Sequence, residues 1–134
     1  MNDWNTQVIE EFRANGGKVG GRWEGRDLLL LTTTGRRSGR LHTTPLAFAR
    51  DGDGLLVFAS KGGAPKHPDW YWNLVADPHV EVEVGTERFD AVATPLVGEE
   101  RDRAFAAQVE RSPAFGEYQA KTDRVIPVIA LTRP

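Results

Sequence analysis

Trp4, Val8, Ile9 and Phe12 recur at helical spacing behind Asn2 and Asp3, either of which suits a helix cap, and Asn15-Gly16-Gly17 ends the run. Residues 3 to 14 therefore read as an amphipathic helix. Beyond it the period shortens. Leu28 to Thr33 is a short apolar, β-capable run, Thr43 to Arg50 is another, and Asp51-Gly52-Asp53-Gly54 has the composition of a hairpin turn into Leu55 to Ser60. Pro68 opens a short helix that carries Trp70, Tyr71, Leu74 and Val75 and stops before Asp77-Pro78. Val80, Val82 and Val84 alternate with Glu81 and Glu83, as a half-buried strand requires, and Gly85-Thr86 turns that strand into Arg88 to Leu96. Glu99 to Glu110 reads as a helix, with acids near its positive end and Arg111 near its negative one. A strand over Val125 to Thr132 closes the pattern.

Three strands, a helix, two strands, a helix and a strand, joined by short connections, predict a mainly β (α+β) protein built on an antiparallel sheet. A small barrel or strongly curved sheet would remove its edges. The 134 residues and 40% hydrophobic content suit one compact domain. The absence of cysteine excludes a disulfide framework, a thiol nucleophile and thiolate metal ligation, and agrees with a reducing cytoplasm. The start, Met1-Asn2-Asp3-Trp4, has no continuous apolar stretch behind it, and no run approaches membrane-spanning length. A net charge of −2 argues against a general nucleic-acid binder. The helix stripe with Arg13, Lys18, Arg22 and Arg26 beside it leaves three uses open: docking on its own domain, a partner such as a second copy, or contact with a membrane surface.

That net charge hides an asymmetry. From Thr34 to Lys66 six basic residues (Arg36, Arg37, Arg40, Arg50, Lys61, Lys66) face two acids (Asp51, Asp53). The excess sits in two glycine-bearing loops, Thr32-Thr33-Thr34-Gly35-Arg36-Arg37-Ser38-Gly39-Arg40 and Ala59-Ser60-Lys61-Gly62-Gly63. Hydroxyls, glycines that admit close backbone approach, and guanidinium forks together suit a phosphate or several carboxylates; two solvated turns are the plain alternative. An anionic small molecule is the natural partner of such a local charge.

Several chemistries lack their residues. Gly35 to Arg40 does not have Walker A spacing, and there is no Gly-x-Ser-x-Gly elbow or Ser-x-x-Lys. His42, His67 and His79 are scattered without cysteine company, so no metal site is expected. A chain without an amino-acid catalytic set fits a redox cofactor that carries its own reactive atom. The aromatic run Trp70-Tyr71-Trp72 follows the second loop, and aromatic walls beside an anion cradle suit a planar ring with a charged tail; ordinary core packing is the alternative for Tyr71.

Six segments, Thr33–Gly39, Thr44–Leu46, Ala59–Gly63, Trp70–Leu74, Ala76–Val80 and Thr122–Val128, resemble in order and spacing the deazaflavin-dependent nitroreductase family. The resemblance spans roughly residues 25 to 131. It implies a split β-barrel, similar to FMN-binding barrels, of about six antiparallel strands with short flanking helices, in which residues 1–24 form the N-terminal helix and linker and 25–134 the coenzyme-binding domain. It also implies the deazaflavin coenzyme F-420, which has a flavin-like ring, a ribityl phosphate and a glutamate tail, as hydride donor to a small planar electrophile: a quinone, an enone or a nitroaromatic. By position, Arg36, Arg37 and Ser38 would hold the phosphate and tail, each charge-assisted hydrogen bond contributing ~1.5–3 kcal/mol where desolvated. His42, Thr43, Thr44, Pro45, Leu46 and Ala47, with Phe58, Ala59, Ser60 and Lys61, would line the ring and ribityl chain.

Asp69, Trp70, Tyr71, Trp72 and Asn73 would complete the coenzyme site, and Trp70, Phe115 and Tyr118 would face the substrate. Arg37 stands where the family often has lysine and His42 where it often has arginine; Ser112 and Phe115 stand where some members carry aromatic or tyrosine residues. Tyr118 is left as the candidate proton donor, with water as its alternative. An FMN-dependent oxidoreductase on the same barrel and a non-catalytic F-420 carrier remain the other readings. No side-chain nucleophile is required in any of them.

Overall fold

The computed structural model describes residues 3–20, 28–52 and 54–134, without the side chains of Asp3 and Trp4. Asn2, Arg22, Arg26, Asp53 and the expected 24/25 boundary lie outside the described residues. Six antiparallel strands close into a barrel in the order β1-β2-β3-β6-β5-β4. The elements are α1 (Asp3–Ala14), β1 (Leu28–Thr34), β2 (Leu41–Asp51), β3 (Gly54–Phe58), α2 (Asp69–Ala76), β4 (His79–Val84), β5 (Glu87–Pro95), α3 (Gly98–Arg111), α4 (Ala114–Ala120) and β6 (Val128–Thr132). A single 3₁₀ turn, Lys61–Gly63, lies between β3 and α2. The expected split β-barrel with flanking helices is the observed architecture.

β1 is buried along its length from Leu28 to Thr33, and the reason is that both of its faces are covered. Leu29 and Leu31 point into the barrel core with Val57, Val82, Ile129 and Leu131, while Leu28 and Leu30 lie under Val8 and Phe12 of α1. A continuous apolar run is what a strand covered on two sides needs. β4 shows the other pattern: Val80 and Val82 face the core, and the glutamates face out. Glu83 is nevertheless buried, because Arg13 of α1 closes on it through two hydrogen bonds of 3.0 and 2.9 Å. That hydrogen bond, with the charge of Glu83, raises the pKa of Arg13. The stripe of α1 is thus spent on its own barrel, and membrane contact through Val8 and Phe12 has no support. No described helix is long and apolar enough to cross a membrane.

A second layer covers the other side. Leu56 and Phe58 of β3 and Val128 of β6 pack outward against Phe105 of α3, with Phe115 and Tyr118 of α4 beside them. The α4 helix is absent from the sequence expectation, because its seven residues include Gly116 and lack a full helical stripe. The last strand begins at Val128, not Val125. Pro127 has no N–H for a ladder, and Ile126 finds other partners: its carbonyl accepts from Arg101 at 2.7 and 3.1 Å, and its N–H donates to Gln119 Oε1 at 3.0 Å.

Candidate active site

β1 pairs with β2 from Leu28 to Thr34 and with β4 from Leu30 to Thr32, and the Gly35–Arg40 loop leaves from the end of β1 and returns as β2. Trp70 and Leu74 of α2 pack into the core cluster there, which brings the start of α2 against the loop.

Asn73 ties the two together. It is 5% exposed, and its Oδ1 accepts from the backbone N–H of Arg36 at 3.2 Å and from Arg36 Nη1 at 3.0 Å. Its amide nitrogen donates to Thr33 Oγ1 at 3.3 Å. One buried side chain therefore satisfies a helix, a strand end and a loop. Within the loop, Gly35 N–H donates to the Arg40 carbonyl at 2.7 Å and Gly39 N–H to the Gly35 carbonyl at 2.9 Å. A Cβ at Gly35 would fall 2.7 Å from Ser38 Oγ and 2.9 Å from His42 Nε2, so only glycine lets this backbone sit so close to both.

These elements enclose a cavity of about 610 Å³. Nine of the residues expected to bind coenzyme line it: Arg36, Arg37, Ser38, His42, Thr43, Thr44, Asp69, Trp70 and Asn73. Gly35 and Leu41 join them, and α1 supplies Asn5, Thr6 and Ile9 as a further wall. The sequence reading missed that wall: its helical stripe marked Ile9 as apolar, but nothing in the local pattern said that Asn5 and Thr6 face the Arg36 loop. Arg36 Nη2 also approaches Asp69 Oδ1 at 3.8 Å, an exposed pair of small energetic weight. Among the described residues, no group of three or more histidine or acidic side chains is placed to hold a metal ion.

The other expected residues do not line this cavity. Pro45 is buried in β2, Leu46 packs against the barrel core, and Ala47 packs against the α1 side. Phe58 is buried with Phe115 edge-on at 5.4 Å, and Phe115 meets Tyr118 at another 5.4 Å, so the three form an aromatic row under α4. Tyr71 packs against the barrel core, the ordinary packing that was its alternative, and its ring and that of Trp72 flank His67 at 4.8 and 5.3 Å. Trp72, His67 and Lys66 line a second groove of about 450 Å³, which shares Arg36 and Asp69 with the cavity.

Ala59 is fully buried, and the exposed Lys61 stands on the 3₁₀ turn. Gly63 has φ +83, and a Cβ there would fall 2.7 Å from the Tyr118 carbonyl oxygen, so the turn seats directly on α4. Arg124 braces the same segment through the carbonyls of Ala59, Ser60 and Ala64. It was part of a matched motif, yet its role is invisible without the fold.

A six-stranded barrel with a cavity lined by Arg36, Arg37 and several hydroxyls suits an oxidoreductase whose cofactor brings its own reactive atom. The chain belongs to the F420H(2)-dependent quinone reductase family, whose profile matches residues 4–133. It is similar to an F420H(2)-dependent quinone reductase of Mycobacterium tuberculosis, 43% identical over 126 residues, covering 91% of this chain and 85% of that one. Two solved structures are also similar. An F420-H2 dependent reductase (FDR-A) is 44% identical with a TM-score of 0.72, covering 79% of this chain and 94% of that one. A domain-swapped dimer is 40% identical with a TM-score of 0.74, covering 96% and 97%. Membership in this family sharpens the resemblance read from the sequence, for which nitroreductase is the broader label.

Proposed function

We propose that this protein passes a hydride from reduced coenzyme F-420 to a quinone, and that the cavity of about 610 Å³ is where the coenzyme sits. The observation that carries this reading is the convergence of Arg36, Arg37, Ser38, Thr43 and Thr44 with the Trp70 ring on one cavity. The donor set fits the group: guanidinium forks and hydroxyls suit phosphate and carboxylate oxygens, and Gly35 lets the loop backbone close on Ser38 and His42, which both line the cavity.

When bound, the reduced coenzyme supplies the hydride from the ring carbon that replaces the flavin nitrogen. The chain's own residues bind and orient. Arg36 and Arg37 hold the charged end, with Arg36 prealigned by Asn73. Thr43, Thr44 and Trp70 border the ring, and Lys61 contributes a fixed positive charge from the 3₁₀ turn. Hydride plus a proton convert the quinone to a hydroquinone; the proton comes from water or from Tyr118 of α4, whose ring packs beside Phe115.

Titration with F-420, FMN and NADPH side by side tests the binding half. Selective micromolar binding of F-420 is expected; retention of FMN through purification would replace this reading with a flavin-dependent one. Mixing the protein with reduced F-420 and a quinone tests the chemistry, with the oxidised absorption band returning. Tight binding without turnover on quinones, enones or nitroaromatics would instead make the protein a carrier. The domain-swapped neighbour supports a homodimer as a further proposal, which sedimentation at micromolar concentration decides.

A further inference from the structure

The guanidinium of Arg124, on the connection between α4 and β6, makes its hydrogen bonds with the segment from Ala59 to His67, while the backbone of Arg124 bonds Thr122 and Gln119. Nε donates to the Ala64 carbonyl at 2.8 Å, Nη1 to the Ala59 carbonyl at 3.0 Å, and Nη2 to the Ser60 carbonyl at 2.7 Å. Nη1 also lies 2.8 Å from His67 Nδ1. The three carbonyls flank Lys61 on both sides. Lys61 is the one non-glycine residue with positive φ among those described, at 46°. Such a backbone persists only where its surroundings over-determine it, and Arg124 is that surrounding on one side as the Gly63–Tyr118 contact is on the other.

Through His67, whose ring meets Tyr71 and Trp72, the same guanidinium reaches α2, the helix that carries Trp70 and Asn73. Arg124 itself does not line the cavity of about 610 Å³; it lines the adjoining groove of about 450 Å³ with His67 and Trp72. We infer that Arg124 is a positioning residue, which locks the left-handed Lys61 turn and thereby places the Lys61 ammonium toward the coenzyme, without touching the ligand. The inference rests on the assignment of Lys61 to coenzyme binding made above. A lysine in its place brings one compact charge and cannot hold three carbonyls in a planar fork.

The experiment compares wild type, Lys61→Ala, Arg124→Lys and the double variant, by fluorescence titration with purified F-420 and by amide hydrogen exchange of the unliganded protein. Arg124→Lys is expected to raise the dissociation constant at least about tenfold. It should also speed exchange at Gly62 to Ala64 while β1 and β4 stay protected. In the double variant the loss should be no greater than in Lys61→Ala alone, because the brace then has nothing left to position. Losses that multiply, or an Arg124→Lys protein that binds as wild type, overturn the inference and leave the Lys61 assignment standing. Wild-type affinity in Lys61→Ala overturns that assignment, and the inference with it. Should Arg124→Lys not fold, Arg124→Gln takes its place; if neither folds, Arg124 serves stability and the inference is wrong.

Discussion

Two loops that look alike in sequence, each with glycines, a hydroxyl and cations, are built in opposite ways. The Gly35–Arg40 loop is held from behind by the buried Asn73, which takes up its backbone N–H and leaves Arg36 and Arg37 lining the cavity. The Ala59–Ala64 segment is held from outside by Arg124, whose guanidinium takes up the carbonyls of Ala59, Ser60 and Ala64, and it presents one lysine on a strained turn. The first loop is organised around what its side chains offer; the second around what its backbone must satisfy. Glycine serves both, as room for close approach at Gly35 and as positive φ against a neighbouring helix at Gly63.

The contrast breaks most visibly at those glycines. Gly63→Ala combines a left-handed backbone with a backbone clash at the Tyr118 carbonyl, and is expected to cost about 3 kcal/mol in urea melts. Gly35→Ala meets only the ends of two side chains, so it should cost ~1 kcal/mol or less in the same melts while weakening F-420 binding. An equal loss of stability at both would end the distinction.

Next in size, Arg36→Ala should weaken F-420 binding by ~2 kcal/mol with the melting transition nearly unmoved. The difference from wild type should shrink as salt rises, since the arginine works near solvent. Asn73→Ala removes the partner of the Arg36 N–H and of the Thr33 hydroxyl, and should cost about 1.5 kcal/mol of stability together with part of the Arg36 effect on affinity. A double-mutant cycle between Asn73 and Arg36 reads that coupling directly.

The smallest effect belongs to His67. Burial first, and Arg124 second, hold its pKa below the usual 6.5. The unfolded chain therefore takes up a proton on this residue at a pH where the folded one does not. Its contribution to stability is complete above about 6.5 and is lost as pH falls through the window below, where stability rises with pH. Arg36, Lys66, Asp69 and Arg124 line the same groove, and of these Arg124 is the charge that disfavours the protonated ring. Denaturant midpoints compared at about pH 5 and about pH 8 should show this slope, and His67→Gln should flatten it.

Much of this was legible from local pattern. The alternation of Val80 and Val82 with Glu81 and Glu83 and the stripe over Val8 and Phe12 each dictate one element and one buried face, and both stand as expected, as does the pairing of β2 with β3. Motif register placed the Arg36 loop, the His42–Thr44 strand and the α2 residues at one site, and nine of them share a cavity. What local pattern missed is held by distant partners. α4 is stabilised by packing, Ile126 takes its hydrogen bonds from Arg101 and Gln119, and Asn5 and Thr6 reach the cavity only because α1 docks on β1.

Taken alone, the sequence determined the strand order, three of the four described helices and the concentration of cations in two loops, because each is written in spacing and composition, while the closed barrel and the family were read from the register of its motifs. Tertiary structure decided which loop offers its charges and which is braced. That choice depends on whether a buried asparagine from α2 or an arginine from the far end of the chain, 60 residues or more away, arrives to satisfy the loop's backbone. No window of neighbouring residues contains that partner; closing the barrel brings it there.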